Sequence, residues 1–111
     1  MAKKTLRDES FRGRTVSTGH MTKSDEEQLT RIVLSSDVAP VLIAKYDYGF
    51  FVSVSRSEDD GCDWDNVTTL GDMGFSPDFI KVCRAIQAAG YDFARFDSDG
   101  PVDDRFATHT W

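Results

Sequence analysis

The 111 residues suffice for one compact domain and not for two ordinary ones, and 40% apolar, 12% aromatic and 29% charged residues describe a globular chain rather than a disordered one. No stretch reaches the ~18 consecutive apolar residues of a membrane helix, and the run from Met1 to Asp8 lacks the apolar core of a secretory signal, so a soluble, cytoplasmic protein is expected. Residues 1–23 hold six bases against two acids while the other 88 hold seven against seventeen, which disfavours direct nucleic-acid binding by the folded body and favours attraction to basic surfaces of other proteins.

Residues 1–14 carry little apolar content besides Leu6 and Phe11 and read as a flexible basic leader to a single domain over residues 15–111. Thr15-Val16-Ser17-Thr18 reads as a first strand ending at Gly19. Thr22 and Ser24 are both possible N-caps. Ser24-Asp25-Glu26-Glu27 fits a capping box with acids in the first turn, where the helix dipole favours them. Leu29, Ile32 and Val33 then fall on one helical face, giving a helix from about 24 to 35. Val41 to Tyr46 is apolar on both alternating sets, as in a central strand covered on both faces. After the turn at Asp47-Tyr48-Gly49, Phe50, Val52 and Val54 alternate with Phe51, Ser53 and Ser55, so the two runs form a hairpin whose second strand has a wetter face.

From Arg56 to Gly74 the pattern breaks, and a long loop with at most a short helical turn is expected. Ser76-Pro77-Asp78 opens a second helix with a cap and a proline in its first turn. The stripe Phe79, Val82, Cys83, Ile86 continues it and Gly90 closes it. Tyr91 to Phe96 reads as a strand, Asp97 to Pro101 as a turn, and Arg105 to Trp111 as a terminal strand. The predicted fold class is therefore α+β, in the β-α-β-β-α-β (ferredoxin-like) order: an antiparallel sheet with two helices on one face and an extra C-terminal strand.

Taken together and in this order, Ser17-Thr18-Gly19-His20-Met21-Thr22, Tyr46-Asp47-Tyr48-Gly49-Phe50-Phe51-Val52, Gly90-Tyr91-Asp92-Phe93, Phe96-Asp97-Ser98-Asp99-Gly100-Pro101-Val102 and the closing Thr110-Trp111 resemble a family of small uncharacterised proteins. It is a domain-of-unknown-function family carried on plasmids and integrated conjugative elements of Gram-negative bacteria. The likeness spans roughly residues 15–111, outside the leader and the acidic stretch 57–65. It brings no catalytic residue with it. It implies a setting, since accessory genes of mobile elements often act against host defence or manage plasmid maintenance.

The densest local feature is Glu58-Asp59-Asp60-Gly61-Cys62-Asp63-Trp64-Asp65, five acids in eight residues, with no base between Arg56 and Lys81. Carboxylates at this density can stand in for phosphates in an Arg/Lys-lined groove, with Trp64 as an aromatic anchor; a solvated loop is the plainer reading. Calcium would suit the oxygens, but the EF-hand order is absent. Asp97-Ser98-Asp99-Gly100 reads as a turn, because Asp side chains bond their own backbone. His20 and His109 lack the spacing of a preformed metal pair. Ser17 and Ser53 have no nucleophile-elbow context. Cys83 reads as a core residue, and Cys62 as a thiol whose acidic surroundings disfavour the thiolate. Among Tyr46, Tyr48, Phe50, Phe51 and Trp64 most are expected in the core, and any left exposed, Tyr48 and Trp64 first, would mark a partner surface.

The sequence thus points to a non-enzymatic acidic binding protein that needs no cofactor. It would dock on a basic surface of a host protein or defence complex through Glu58, Asp59, Asp60, Asp63, Trp64, Asp65 and Tyr48, in the manner of anti-CRISPR or antirestriction inhibitors. The alternatives are a small metal-dependent hydrolase using Asp97, Asp99, His20 and His109, and a component of a toxin–antitoxin pair.

Overall fold

A computed structural model describes residues 12–35, 39–59 and 62–111, with the backbone alone for 58, 59 and 62. The leader expected over 1–14 falls on residues outside this range up to position 11. The first strand begins two residues earlier than expected, as β1 over Gly13–Ser17, followed by a 3-10 turn over Thr18–His20. Helix α1 spans Lys23–Leu34, and its capping box sits two residues before the one read from Ser24. The Thr22 side chain accepts from the Asp25 N–H, while the Asp25 carboxylate accepts from the Thr22 N–H. The hairpin strands are β2, Ile43–Tyr46, and β3, Gly49–Ser53. Helix α3, Pro77–Ala88, starts at the N-cap Ser76, and β6 is Phe93–Asp97. Gly90 takes the left-handed conformation, φ 94°, that lets the chain leave α3.

The described residues of the segment expected as a loop are mostly regular. They form a second, two-stranded sheet of β4, Arg56–Asp59, and β5, Cys62–Asp65, and then α2 over Asn66–Asp72. The segment's polar, Asp-rich composition hides a strand signal because the hairpin stands apart from the main sheet and its side chains need not alternate toward a core.

The main sheet runs β1-β6-β3-β2, with β1 parallel to β6 and the other pairs antiparallel. The fold is therefore mixed α+β, and the ferredoxin-like order with a wholly antiparallel sheet does not describe it. The strand entering beside β3 is β6, whose inward residues Ala94 and Phe96 are fully buried and need neighbours on both sides. β1 opens with exposed Gly13 and Arg14 and takes the edge. β2 takes the other edge, not the centre. Val41 is buried, but Leu42 is 77% exposed, because the helices cover only one face of the sheet. The expected C-terminal strand is absent among the described residues: Arg105 to Trp111 is irregular, tied by single bonds from the His109 N–H to Gly19 O (2.8 Å) and from Trp111 Nε1 to Met21 O (3.0 Å).

The core lies between the sheet and the helices. Phe75 stacks on Phe79 at 4.8 Å and Phe79 on Phe96 at 5.0 Å, with Phe50, Val52, Leu29, Leu70, Val82 and Cys83 packed around them. On the opposite face every second strand residue points away from the helices. The register aligns these as rows: Gly13, Phe93 and Ser53; Thr15, Arg95, Phe51 and Ala44; Ser17, Asp97, Gly49 and Tyr46.

Gly49 is required for space rather than for its φ. A Cβ there would stand 1.7 Å from Phe96 O, and the bare position lets the Tyr46 hydroxyl reach across β3 to Asp97 Oδ2 at 2.5 Å. Gly71, on α2, would meet nothing within 4 Å. Two alanine substitutions should therefore have opposite signs in urea denaturation. Gly49→Ala should cost about 3 kcal/mol or more, through a backbone clash. Gly71→Ala should gain about 0.5–1 kcal/mol, from helix propensity alone. Equal effects would contradict this account of the sheet.

Candidate functional site

The acidic hairpin is pinned at its root. After β3, the N–H of buried Val54 and the Ser55 hydroxyl both donate to Asp92 O, at 2.9 and 3.1 Å, and Asn66 donates through its backbone to Ser55 O and through Nδ2 to Ser53 Oγ. From that base β4 and β5 pair Arg56 with Asp65, Ser57 with Trp64, Glu58 with Asp63 and Asp59 with Cys62. Two acidic positions, Glu58 and Asp63, thus oppose each other across the ladder, an arrangement that destabilises a hairpin. Asp63 is exposed and Trp64 is 46% exposed. Asp60 lies outside the described residues.

Asp65 differs from its neighbours. It is the N-cap of α2, where Oδ1 accepts from the N–H of Val67 and of Thr68, and Gln87 Nε2 donates to the same oxygen at 2.9 Å. Arg84 donates to Oδ2 at 2.7 Å. Burial pushes the Asp65 carboxyl up, but the bonds from Arg84, Gln87 and the two N–H groups outweigh it and hold the group at about 2. The same Gln87 amide donates to Val54 O at 3.0 Å, so Asp65 fastens the hairpin to α3. One acid of the expected docking set is neutralised by the protein's own arginine.

Tyr48, 60% exposed, occupies the β2–β3 turn with its ring edge-on to Tyr46 at 6.4 Å. The hairpin leaves from the far end of β3, and Val54 lies six extended steps beyond Tyr48, roughly 20 Å. Tyr48 and Trp64 therefore belong to different surfaces.

The two histidines and the two turn aspartates do not share partners. His20 is fully buried, with Nδ1 bonded to Ala107 O and Nε2 accepting from the Asp103 N–H, both at 2.9 Å, so it anchors the C-terminal segment. His109 Nε2 meets Asp78 Oδ2 at 3.0 Å. Asp97 binds the Tyr46 hydroxyl, Arg95 and the Asp99 N–H, and its carboxyl is held below the usual range, first by Tyr46. Tyr46 is correspondingly pushed up, by burial and by Asp97. Among the described residues no group of three or more His, Cys, Asp or Glu side chains is placed to hold a metal ion. Cys83 is buried in the core and its thiol is pushed far up by burial and by the Asp25 charge, which suits packing and not nucleophilic chemistry.

One feature of the surface was not singled out from the sequence. The helix-free face of the sheet holds a depression of about 260 Å³ lined by Leu42, Ala44, Phe51, Ser53, Ser55 and Phe93, with Asp92 at its rim. Tyr46, Phe51 and Phe93 run through this face with ring centroids 5.0 and 5.6 Å apart. Its signal was present in the run from Val41 to Tyr46, apolar on both alternating sets, but that pattern also describes a buried strand.

A family match covers residues 14–111 and is described as the C-terminal domain of a family of unknown function, DUF5983. The chain belongs to this family. No curated protein and no solved structure matches it. No helix among the described residues is long and apolar enough to cross a membrane.

The Asp65 linkage has a measurable consequence. An unfolded aspartate titrates near pH ~4, and folded Asp65 at about 2, so the folded state binds fewer protons between these values. The stabilisation is complete above about pH 4 and is lost as pH falls toward 2. Asp65→Asn keeps a capping side chain and removes the charge. Its stability in urea should fall less steeply than that of the wild type between pH 4 and 2. At neutral pH the loss should stay below about 1 kcal/mol, because half-exposed Arg84 is screened by water. Parallel pH profiles would show that the pair contributes nothing.

Proposed function

We propose that this protein is a non-enzymatic binding protein that docks through its β4–β5 hairpin on a basic surface of another protein. The observation that supports this reading is the hairpin register. Glu58 stands across from Asp63, which is exposed, and Trp64 is 46% exposed beside it, while Asp65 is drawn back onto the body by Arg84. Like charges placed opposite one another cost the free protein stability, and cations from a partner would relieve that cost on binding. Trp64 supplies the apolar anchor that charge alone lacks.

The basic surfaces that best suit such a row of carboxylates are grooves evolved for phosphates. In its sharpest form the proposal is therefore the blocking of a nucleic-acid-binding defence complex, as anti-CRISPR and antirestriction proteins do. The resemblance to proteins of plasmids and integrated conjugative elements fits that setting. A component of a toxin–antitoxin pair would use the same kind of contact. For the metal-dependent hydrolase, the separate partners of His20, His109, Asp97 and Asp99 offer no support.

The test is competition between this protein and DNA or RNA for a purified nucleic-acid-binding defence complex, at low and high salt. The wild type should displace the nucleic acid with an affinity that falls as salt rises. The combined variant Asp59→Asn, Asp60→Asn and Asp63→Asn should lose about tenfold or more at low salt, and Trp64→Ala should weaken binding at every salt concentration. Undiminished binding by the triple variant at low salt would sink the electrostatic reading.

A further inference from the structure

We propose that the free edge of β2 is the interface of a homodimer, formed by antiparallel pairing with β2 of a second copy about a two-fold axis at Ala44. The hydrogen-bond pattern locates the available groups. The Ser53 N–H donates to Leu42 O at 2.9 Å, so Leu42, Ala44 and Tyr46 turn their backbone groups toward β3, and alternation turns those of Ile43 and Lys45 outward. Among the described residues those outward groups have no partner. The opposite edge of the sheet is treated differently, because the Ser17 N–H on β1 is taken by Pro101 O at 2.9 Å.

The residues on β2 fit a second copy of themselves in one register. With Ala44 opposite Ala44 of the partner subunit, each Ile43 faces a Lys45 and exchanges both backbone bonds with it, and each Leu42 faces a Tyr46. Three features favour this arrangement. The closest approach falls on the smallest side chain, at a non-hydrogen-bonded pair where strands come nearest. Leu42, 77% exposed in the single chain, gains an aromatic ring to pack on. The two Lys45 charges are offset rather than opposed, whereas a shift by one pair toward the turn would set them face to face. Lysine often blunts sheet edges, but here Lys45 Nζ lies 5.0 Å from the Phe50 ring centroid, on the helix-covered side, and leaves the edge open. The pairing is self-complementary, as a two-fold interface must be. It uses neither the hairpin nor Trp64, so it stands or falls separately from the proposed function.

A four-residue strand makes an interface at the small end of the range, so a concentration-dependent monomer–dimer equilibrium is expected in sedimentation. Lys45→Pro removes an outward N–H and the ammonium over Phe50 but no β2–β3 backbone bond, and should leave the chain folded and monomeric. Leu42→Glu should weaken the dimer at least about tenfold, with no loss of thermal stability at dilutions where both proteins are monomeric. In a Cys62→Ser background, Ala44→Cys should form a disulfide-linked dimer under mild oxidation, and Lys45→Cys should not. A wild type that stays monomeric at all concentrations would overturn the proposal. So would a dimer that survives Lys45→Pro or crosslinks through position 45, and binding of an unrelated extended peptide by a monomeric protein would reassign the edge.

Discussion

The carboxylate of Asp25, 2% exposed, accepts from the Thr22 N–H, from the Ser76 N–H at 2.8 Å and from the Ser76 hydroxyl at 2.6 Å, so a single buried charge serves the first turns of both α1 and α3. A buried ion is costly unless its oxygens are satisfied, and here the positive ends of two helix dipoles add to the three donors. The Ser76 hydroxyl passes the constraint on by accepting from the Phe79 N–H. Phe79 is the middle ring of the Phe75–Phe79–Phe96 stack. The position of the helical layer over the sheet thus depends on one acid, three donors and one column of aromatic rings.

The same chemistry sorts the other carboxylates. Asp65, Asp97 and Asp103 are each held by an arginine of the protein itself: Arg84, Arg95 and Arg105. They act as structural clasps, joining the hairpin to α3, closing the row across Gly49 and shaping the turn before Phe106. Asp63 projects from a separate two-stranded sheet instead. The difference is one of placement. A carboxylate at the root of the hairpin reaches the body, and one farther along it does not.

Two surfaces result, at different ends of the molecule's chemistry. The hairpin offers charge and a single large ring, which favours fast, salt-sensitive encounter with a cationic partner. The helix-free face and the β2 edge offer apolar area and unpaired backbone groups, which favour recognition of another strand. Because Asn66, Ser55 and Asp92 bind the hairpin root beside the depression at Phe51 and Phe93, the first surface rises from the margin of the second.

The elements with strong local signals were legible in the amino-acid order: the capped helix at Ser76, the left-handed exit at Gly90, and the Phe50/Val52/Val54 alternation, all of which depend on contacts within a few residues; helix α1 was legible too, but its capping box belongs to Thr22 and not to Ser24. The buried place of Cys83 followed from its helical stripe, and the exposure of Trp64 from its acidic neighbours. The strand order, the edge position of β2, the separate hairpin and the irregular C-terminal segment were not legible, because each depends on partners far along the chain. β6 enters beside β1 since Ala94 and Phe96 need cover on both sides, and no spacing within 93–97 says from where. In the same way composition showed that acids cluster between 58 and 65. Only the meeting of Asp65 with Arg84 and Gln87, 19 and 22 residues away, decided that the fold consumes this carboxylate while Asp63 stays exposed.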